Sequence, residues 1–263
     1  MDLQLAKKIA LVSGSTAGIG NAIAAALSKE GATVIVNGRT PAAVEASVAA
    51  MKRATGGDVR GFAGDLSVAE VAEDLVRTHP HVDILVNNLG IFEVRAFEDI
   101  SDADWRRFFD VNVLSGARLS RLYLPSMRER NWGRIIFISS ESGYQIPAEM
   151  IHYGMTKAAQ IAVARGLAEA TAGTGITVNS VLPGPTRSRG VADFVADWAA
   201  KSGKSAETVE KEFFKNARPT SLIKRFAAPE EVAAMVAFVA SPLSAATNGA
   251  ALRVDGGVVK SAF

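Results

Sequence analysis

Residues 9–20 read Ile9-Ala10-Leu11-Val12-Ser13-Gly14-Ser15-Thr16-Ala17-Gly18-Ile19-Gly20, and an Ala-rich stretch follows to residue 30. A short apolar run of strand type enters a glycine-rich turn and leaves it as a helix. In that setting glycines permit the tight turn, and backbone N–H groups at the helix N-terminus can approach a pyrophosphate. The spacing is Gly-x-x-x-Gly-x-Gly, distinct from Gly-x-Gly-x-x-Gly, and no Gly-Lys-Ser/Thr follows as a P-loop requires. A plain strand–helix connection is the competing reading. The place at the first βα turn favours a nucleotide site, with Gly14, Ser15, Thr16, Gly18, Ile19 and Gly20 as its candidate residues.

Outward from this turn, short β-branched runs alternate with longer amphipathic stretches, the rhythm of βαβ units and a parallel sheet in an α/β fold. The strand candidates are residues 9–13, 33–37, 59–63, 82–87, 134–139, 177–182 and 251–254. The helical candidates are 19–30, 42–54, 68–78, 102–130, 152–172 and 229–240. Ser101 with Asp104 forms a capping box at the start of the long fourth helix, and Pro125 is expected to kink or end it. The rhythm breaks over residues 187–225, which carry charges and the aromatics Phe194, Trp198, Phe213 and Phe214 at helical spacing. An insertion of that length reads as a lid over a binding site.

Composition narrows the chemistry. The 263 residues are 48% hydrophobic and 21% charged, enough for one large core without staples. With no Cys there is no disulfide, thiolate nucleophile or Cys-type zinc site. His79, His81 and His152 lack metal-ligand spacing, so no metal is expected. The net charge of +2 is too near balance to argue for nucleic acid. The uncharged runs at 9–28 and 232–252 are interrupted by Ser, Thr, Gly, Pro and Asn, so neither a signal segment nor a membrane span is expected, and the chain reads as cytoplasmic.

Two further clusters carry chemistry. The second strand ends Val36-Asn37-Gly38-Arg39-Thr40, where a dinucleotide fold usually places an acidic group on the adenosine ribose. Here Arg39 can bond a 2′-phosphate that a carboxylate would repel, so NADP is favoured over NAD. Tyr153 and Lys157 stand at i,i+4 on one helix face, Ser140 ends the fifth strand, and Asn112 lies in the long fourth helix.

Taken together these residues resemble the classical short-chain dehydrogenase/reductase family over nearly the whole length. The matching stretches are Ser13-Gly14-x-x-x-Gly18-Ile19-Gly20, Asp65-Leu66, Asn87-Asn88-Leu89-Gly90, Asn112, Ser140, Tyr153-x-x-x-Lys157 and Pro183-Gly184. The resemblance implies one domain, residues 1–263, built on a single Rossmann-type doubly wound parallel sheet of about seven strands flanked by helices, with 187–225 as the substrate lid.

It also implies roles. Tyr153 would be the acid/base of a hydride transfer between nicotinamide and a secondary alcohol or ketone. Lys157 would lower the tyrosine pKa and hold the nicotinamide ribose. Ser140 would polarise the substrate oxygen, and Asn112 would position a water linking Lys157 to solvent. Asp65 and Asn88 would lie on the adenosine side with Leu66 and Gly90, although Asp65 also reads as an N-cap. Pro183 and Gly184, with Thr186 or Ser188, would border the carboxamide. Ser13 and Leu89 depart from the family's Thr and Ala, and Leu89 adds bulk beside the adenosine.

The substrate is expected among Ile91, Phe92, Ser142, Tyr144, Gln145, Ile146, Glu149, His152, Pro185 and the lid. His152 reads equally as a ligand contact or a solvent-facing residue, and Glu141 and Glu149 as hydroxyl or amine binders or solvated surface. The lid holds nine Lys/Arg against five Asp/Glu, so an acidic acyl carrier protein docking on a 3-oxoacyl reductase stays open beside a merely solvated lid. A non-catalytic dinucleotide-sensing module is a second alternative, disfavoured because Tyr153 and Lys157 are both present. A lyase resembling halohydrin dehalogenases is a third, disfavoured by Lys157 and the intact glycine turn. The family implies a homo-oligomer, usually a tetramer, with the apolar helix at 232–240, the last strand and Phe263 as candidate interface, although apolar helix faces read equally as core.

Overall fold

The computed structural model describes residues 1–262, apart from the side chains of residues 189, 193 and 194. Phe263 and the Phe194 side chain, read above as interface and lid residues, lie outside the described residues. Seven strands form one sheet: β1 (Ile9–Val12), β2 (Thr33–Gly38), β3 (Val59–Ala63), β4 (Ile84–Asn87), β5 (Gly133–Ile138), β6 (Ile176–Pro183) and β7 (Ala251–Val254). Their order is β3-β2-β1-β4-β5-β6-β7 and every pair is parallel. The chain winds outward from β1 through β2 to β3, then returns to lay β4 on the other side of β1. That reversal opens a crevice at the carboxyl ends of β1 and β4.

Strand side chains alternate between two cores. Ala10, Val12, Val34, Val36, Val86, Ile136 and Ile138 pack with Ile23 and Leu27 of α1 (Gly18–Lys29) and Val232, Val236 and Val239 of α9 (Pro229–Ala240). Leu11, Ile35, Leu85, Ile135 and Phe137 face the opposite way. They meet α3 (Ala69–Thr78), α5 (Ser115–Glu129) and α6 (Ile151–Ala170). Burial on both faces explains why the strands read as continuous apolar runs. The apolar face of α9 takes the core reading, packed inside the fold, and Phe238 is its exposed large apolar side chain.

The remaining helices depart from expectation in two places. The stretch 102–130 divides into α4 (Asp102–Phe109), a π turn at Asp110–Leu114, and α5. Pro125 does not end α5, which continues to Glu129; the irregularity sits upstream, at Asn112. The capping box at Ser101 and Asp104 forms as read. The segment read as a lid forms two helices, α7 (Arg189–Ser202) and α8 (Ala206–Asn216), which share a small core of Val195, Val209, Phe214 and Phe226. No described helix is long and apolar enough to cross a membrane.

Asn37, buried at the end of β2, holds the carboxyl ends of three strands together. Its Oδ1 accepts from Gly14 N (3.0 Å), and its Nδ2 donates to Phe62 O (3.2 Å) and Gly64 O (3.1 Å). A side chain with a donor and an acceptor at one tip is needed here, because it meets one N–H and two carbonyls. Asn37→Ala is expected to lower the unfolding free energy by about 2–4 kcal/mol, since three main-chain groups lose their partner. Urea unfolding at equal m-value checks this.

Candidate active site

The glycine turn is fastened from below. Ser15 points inward: its Oγ donates to Val12 O (2.6 Å) and accepts from Asn37 N (3.0 Å). Gly14 and Gly18 adopt φ of 59° and 58°, the left-handed region that glycine enters without strain. A Cβ on Gly20 would stand 2.4 Å from Asn88 Nδ2, so the start of α1 presses directly on the β4 loop. The N-cap of α1, Ala17, offers no side-chain oxygen, and its first turn carries no acid. By contrast α2 (Pro41–Thr55), α4, α7 and α8 are capped by Thr40, Ser101, Ser188 and Ser205. The α1 terminus, uncapped like those of α3 and α6, leaves backbone donors and the positive end of its dipole beside two cavities, an arrangement that can receive an anion.

Two cavities flank this turn. The smaller, about 140 Å³, is lined by Gly14, Thr16, Arg39, Asp65, Leu66 and Leu89 among others. Arg39 is exposed there, and among the described residues no carboxylate pairs with it. Asp65 Oδ1 accepts from Ser67 N (3.0 Å) and Ser67 Oγ (2.7 Å), and the N-cap of α3 is Val68, so Asp65 shapes the loop and does not cap the helix. Leu89 leaves the backbone path intact: its N–H and that of Asn88 both donate to Ser13 Oγ at 3.0 Å.

The larger cavity, about 530 Å³, is lined by Ile19, Asn88, Gly90, Ser140, Tyr153, Lys157, Pro183, Gly184, Thr186 and Ser188, with Phe92, Trp198, Phe213 and Phe226 as apolar wall. Ser15, Gly18, Gly20 and Asn112 line neither. Thr186 Oγ1 donates to Gly184 O (2.9 Å), whereas Ser188 caps α7. Both hydroxyls border the cavity, so the choice between them stays open.

Ser140 follows β5, and its Oγ donates to Glu141 Oε2 (2.5 Å) while accepting from Ser142 N (3.1 Å). Burial pushes the Tyr153 phenol well above its ordinary value; the Ser140 hydroxyl opposes this, Glu141 adds to it and Arg218 relieves it. Lys157 is buried, and desolvation brings its ammonium down to about 7. Its Nζ donates to Ile138 O (2.9 Å) and Gln160 Oε1 (3.1 Å), 5.6 Å from the centroid of the Tyr153 ring.

Asn112 is buried in the π turn, and its carboxamide is fully engaged. Oδ1 accepts from Ile91 N (2.8 Å), and Nδ2 donates to Ile91 O and Thr156 Oγ1 (both 2.9 Å). It thereby braces the β4 loop against α6, and its main-chain carbonyl accepts from Gln160 Nε2 (2.6 Å).

Three pocket expectations change. His152 is fully buried between Trp105 and Phe108, its ring 4.1 Å from that of Phe108. It therefore contacts neither ligand nor solvent, and burial lowers its pKa. Glu141 is buried, and Glu149 is half exposed; Arg218 of the lid segment reaches both at 3.3 Å. Sequence reasoning missed Arg218, for which only tertiary proximity speaks. It also missed Gln160, which the i,i+3 spacing from Lys157 could have revealed. Among the described residues no group of three or more His, Asp or Glu could hold a metal ion.

The sequence profile of the family described as "Enoyl-(Acyl carrier protein) reductase" matches residues 14–259. The chain belongs to the short-chain dehydrogenase/reductase family. This short-chain dehydrogenase/reductase is 47% identical over 264 residues to the Bacillus subtilis protein named "Uncharacterized oxidoreductase YvrD", covering 99% of the chain and 100% of that relative. It is 36% identical to the D-beta-hydroxybutyrate dehydrogenase of Cupriavidus necator, across 96% of the chain and 98% of the relative. The L-sorbose reductase of Gluconobacter frateurii, solved with NADPH and L-sorbose, superposes at a TM-score of 0.93 with 29% identity, covering 99% of the chain and 100% of that structure. Like its relatives, this short-chain dehydrogenase/reductase is an oxidoreductase with a nicotinamide-dinucleotide fold.

The buried Lys157 makes stability pH-dependent. Its folded pKa of about 7 lies below the 10.5 of an exposed lysine. The unfolded chain therefore binds more protons across that window, and stability rises with pH from about 7 toward 10.5. In cofactor-free protein the gap between wild type and Lys157→Met should close by about 2 kcal/mol between pH 7.5 and 9, read by urea unfolding.

Proposed function

We propose that the chain is an NADP(H)-dependent oxidoreductase that moves a hydride between nicotinamide and a secondary alcohol or its ketone, with Tyr153 as acid/base. The observation that carries this reading is that Ser140, Tyr153 and Lys157 wall one cavity beside the uncapped N-terminus of α1. The residues present fit a dinucleotide. Backbone donors at the start of α1 would meet the phosphates, Gly90 leaves open backbone where a Cβ would stand 3.5 Å from Lys157 Nζ, and Arg39 lines the small cavity without a carboxylate paired to it, so its charge stays available to a 2′-phosphate although Asp65 lines the same cavity.

Bound, the nicotinamide would supply or take the hydride. The protein's part is at the substrate oxygen. Tyr153 gives or takes its proton, Lys157 stabilises the phenolate by charge, and Ser140 orients the oxygen. The lid's Val191, Trp198, Phe213 and Phe226 exclude water from that end of the cavity. The NADPH and L-sorbose named for the Gluconobacter structure support NADP and a carbonyl substrate here.

The lid's basic excess gives less support to carrier-protein docking than its count suggested. Arg187, Lys201, Lys204 and Lys211 pair with Glu210, Asp197, Glu212 and Glu207, and Arg218 and Arg225 pair with Glu141 and Glu231. A homo-oligomer, a tetramer by resemblance, is supported by the exposed apolar Phe97, Phe109 and Leu114 around α4 and the π turn. Sedimentation giving a monomer at micromolar concentration would remove it. The reading of a cytoplasmic protein rests on the interrupted apolar runs of the sequence.

A screen of ketones and alcohols following NADPH absorbance tests the reaction. Tyr153→Phe should lower kcat by roughly 10²–10⁴-fold. Arg39→Ala should lower kcat/KM with NADPH by about ten-fold or more and leave NADH turnover nearly unchanged. An NADH preference that Arg39→Ala does not alter would remove the NADP assignment.

A further inference from the structure

Lys157 is a buried ammonium, and among the described residues no carboxylate pairs with it. Its charged form is held by two neutral acceptors, Ile138 O and Gln160 Oε1. Gln160 is itself buried, one turn beyond Lys157 on α6, and its carboxamide spans two parts of the site. Oε1 meets Lys157 Nζ at 3.1 Å, and Nε2 meets the Asn112 main-chain carbonyl at 2.6 Å.

That carbonyl lies in the π turn Asp110–Leu114, where the helical hydrogen-bond register slips and a main-chain oxygen can be released to an outside donor. The orientation of the amide is fixed by chemistry. Flipped, it would set an NH₂ against an ammonium and an oxygen against a carbonyl, losing both bonds. Asn112 in turn is tied to Ile91 and Thr156, so the reference point to which Gln160 anchors Lys157 is rigid.

We propose that Gln160 is a positioning residue for Lys157, joining its ammonium to the π-turn carbonyl of Asn112 and sustaining its charge beside Tyr153. The catalytic consequence rests on the reading of Tyr153 and Lys157 as the acid/base pair. Gln160 bonds both Lys157 and Asn112, the residue that the family resemblance has positioning a water between Lys157 and solvent. An amide N–H does not surrender its proton on a catalytic timescale, so the bridge transmits position and not protons. Without it the ammonium keeps one acceptor, becomes harder to hold charged, and the Tyr153 phenolate loses support.

The test uses Gln160→Met, of similar length and without an acceptor, and Gln160→Glu, which keeps an oxygen beside Nζ and adds charge. In cofactor-free protein, stability is followed by urea unfolding from pH 5 to 10 and read as the difference from the matching Lys157→Met double variant. The rise with pH should begin about one unit lower than in wild type for Gln160→Met, and higher than in wild type for Gln160→Glu. In alcohol oxidation, Gln160→Met should lower kcat/KM about ten-fold near pH 7, with recovery as the pH passes the tyrosine pKa. An onset unchanged in either variant, or a loss of kcat/KM uniform across pH, overturns the proposal. If the onset shifts as expected but Tyr153→Phe keeps full turnover, the acid/base reading falls and the hold of Gln160 on Lys157 stands.

Discussion

One hydroxyl spans the point where the sheet reverses direction. Ser13 Oγ accepts from Asn88 N and Leu89 N and donates to Val86 O, so the end of β1 and the loop after β4 are stitched at the mouth of the crevice. Asn88 returns the connection through Nδ2, which donates to Ser13 O and Gly14 O. A parallel sheet has no ladder partner for the chain just past its strand ends, and these buried groups need one. Side-chain bonds supply it; Asn37 takes up Gly14 N and Ser15 N, while the start of α1 beyond them carries no side-chain cap. The polar network below thus keeps the surface above available to a ligand.

The same economy governs the larger cavity. Two carboxylates line it with Ser140 and Tyr153, yet among the described residues neither pairs with Lys157. Glu141 is held by Ser140 and by Arg218, and Glu149 by Arg218. Lys157 is left without a carboxylate partner in a desolvated place, and burial lowers its pKa. The same burial raises the Tyr153 phenol, so the site opposes charge on both side chains.

Much of this was legible from residues alone, because local physics set it. The glycine turn, the short β-branched runs of the strands, the capping box at Ser101 and the shared helix face of Tyr153 and Lys157 are all short-range patterns. What escaped reading depended on contacts far apart in sequence. The spacing of 102–130 is helical throughout, and nothing local announces that the register slips at Asn112. His152 reads as a polar residue at a helix start, and only the packing of Trp105 and Phe108 from α4 turns it into a core residue. The apolar side of α9 gave no sign of whether it met another subunit or its own α1. The balanced lid charges were likewise invisible until the two helices paired their side chains.

Arg218 has a consequence for how such an enzyme can diverge. The residue belongs to the segment read as a lid, 77 positions from Glu141 in the chain, and it grips the carboxylate to which the Ser140 hydroxyl is bonded. On the proposed reading, a change in that segment that displaced Arg218 would free the carboxylate that sets the direction of the Ser140 proton. Substrate range and chemical competence would then be coupled traits, with variation in the segment accepted only where the serine keeps its proton in place.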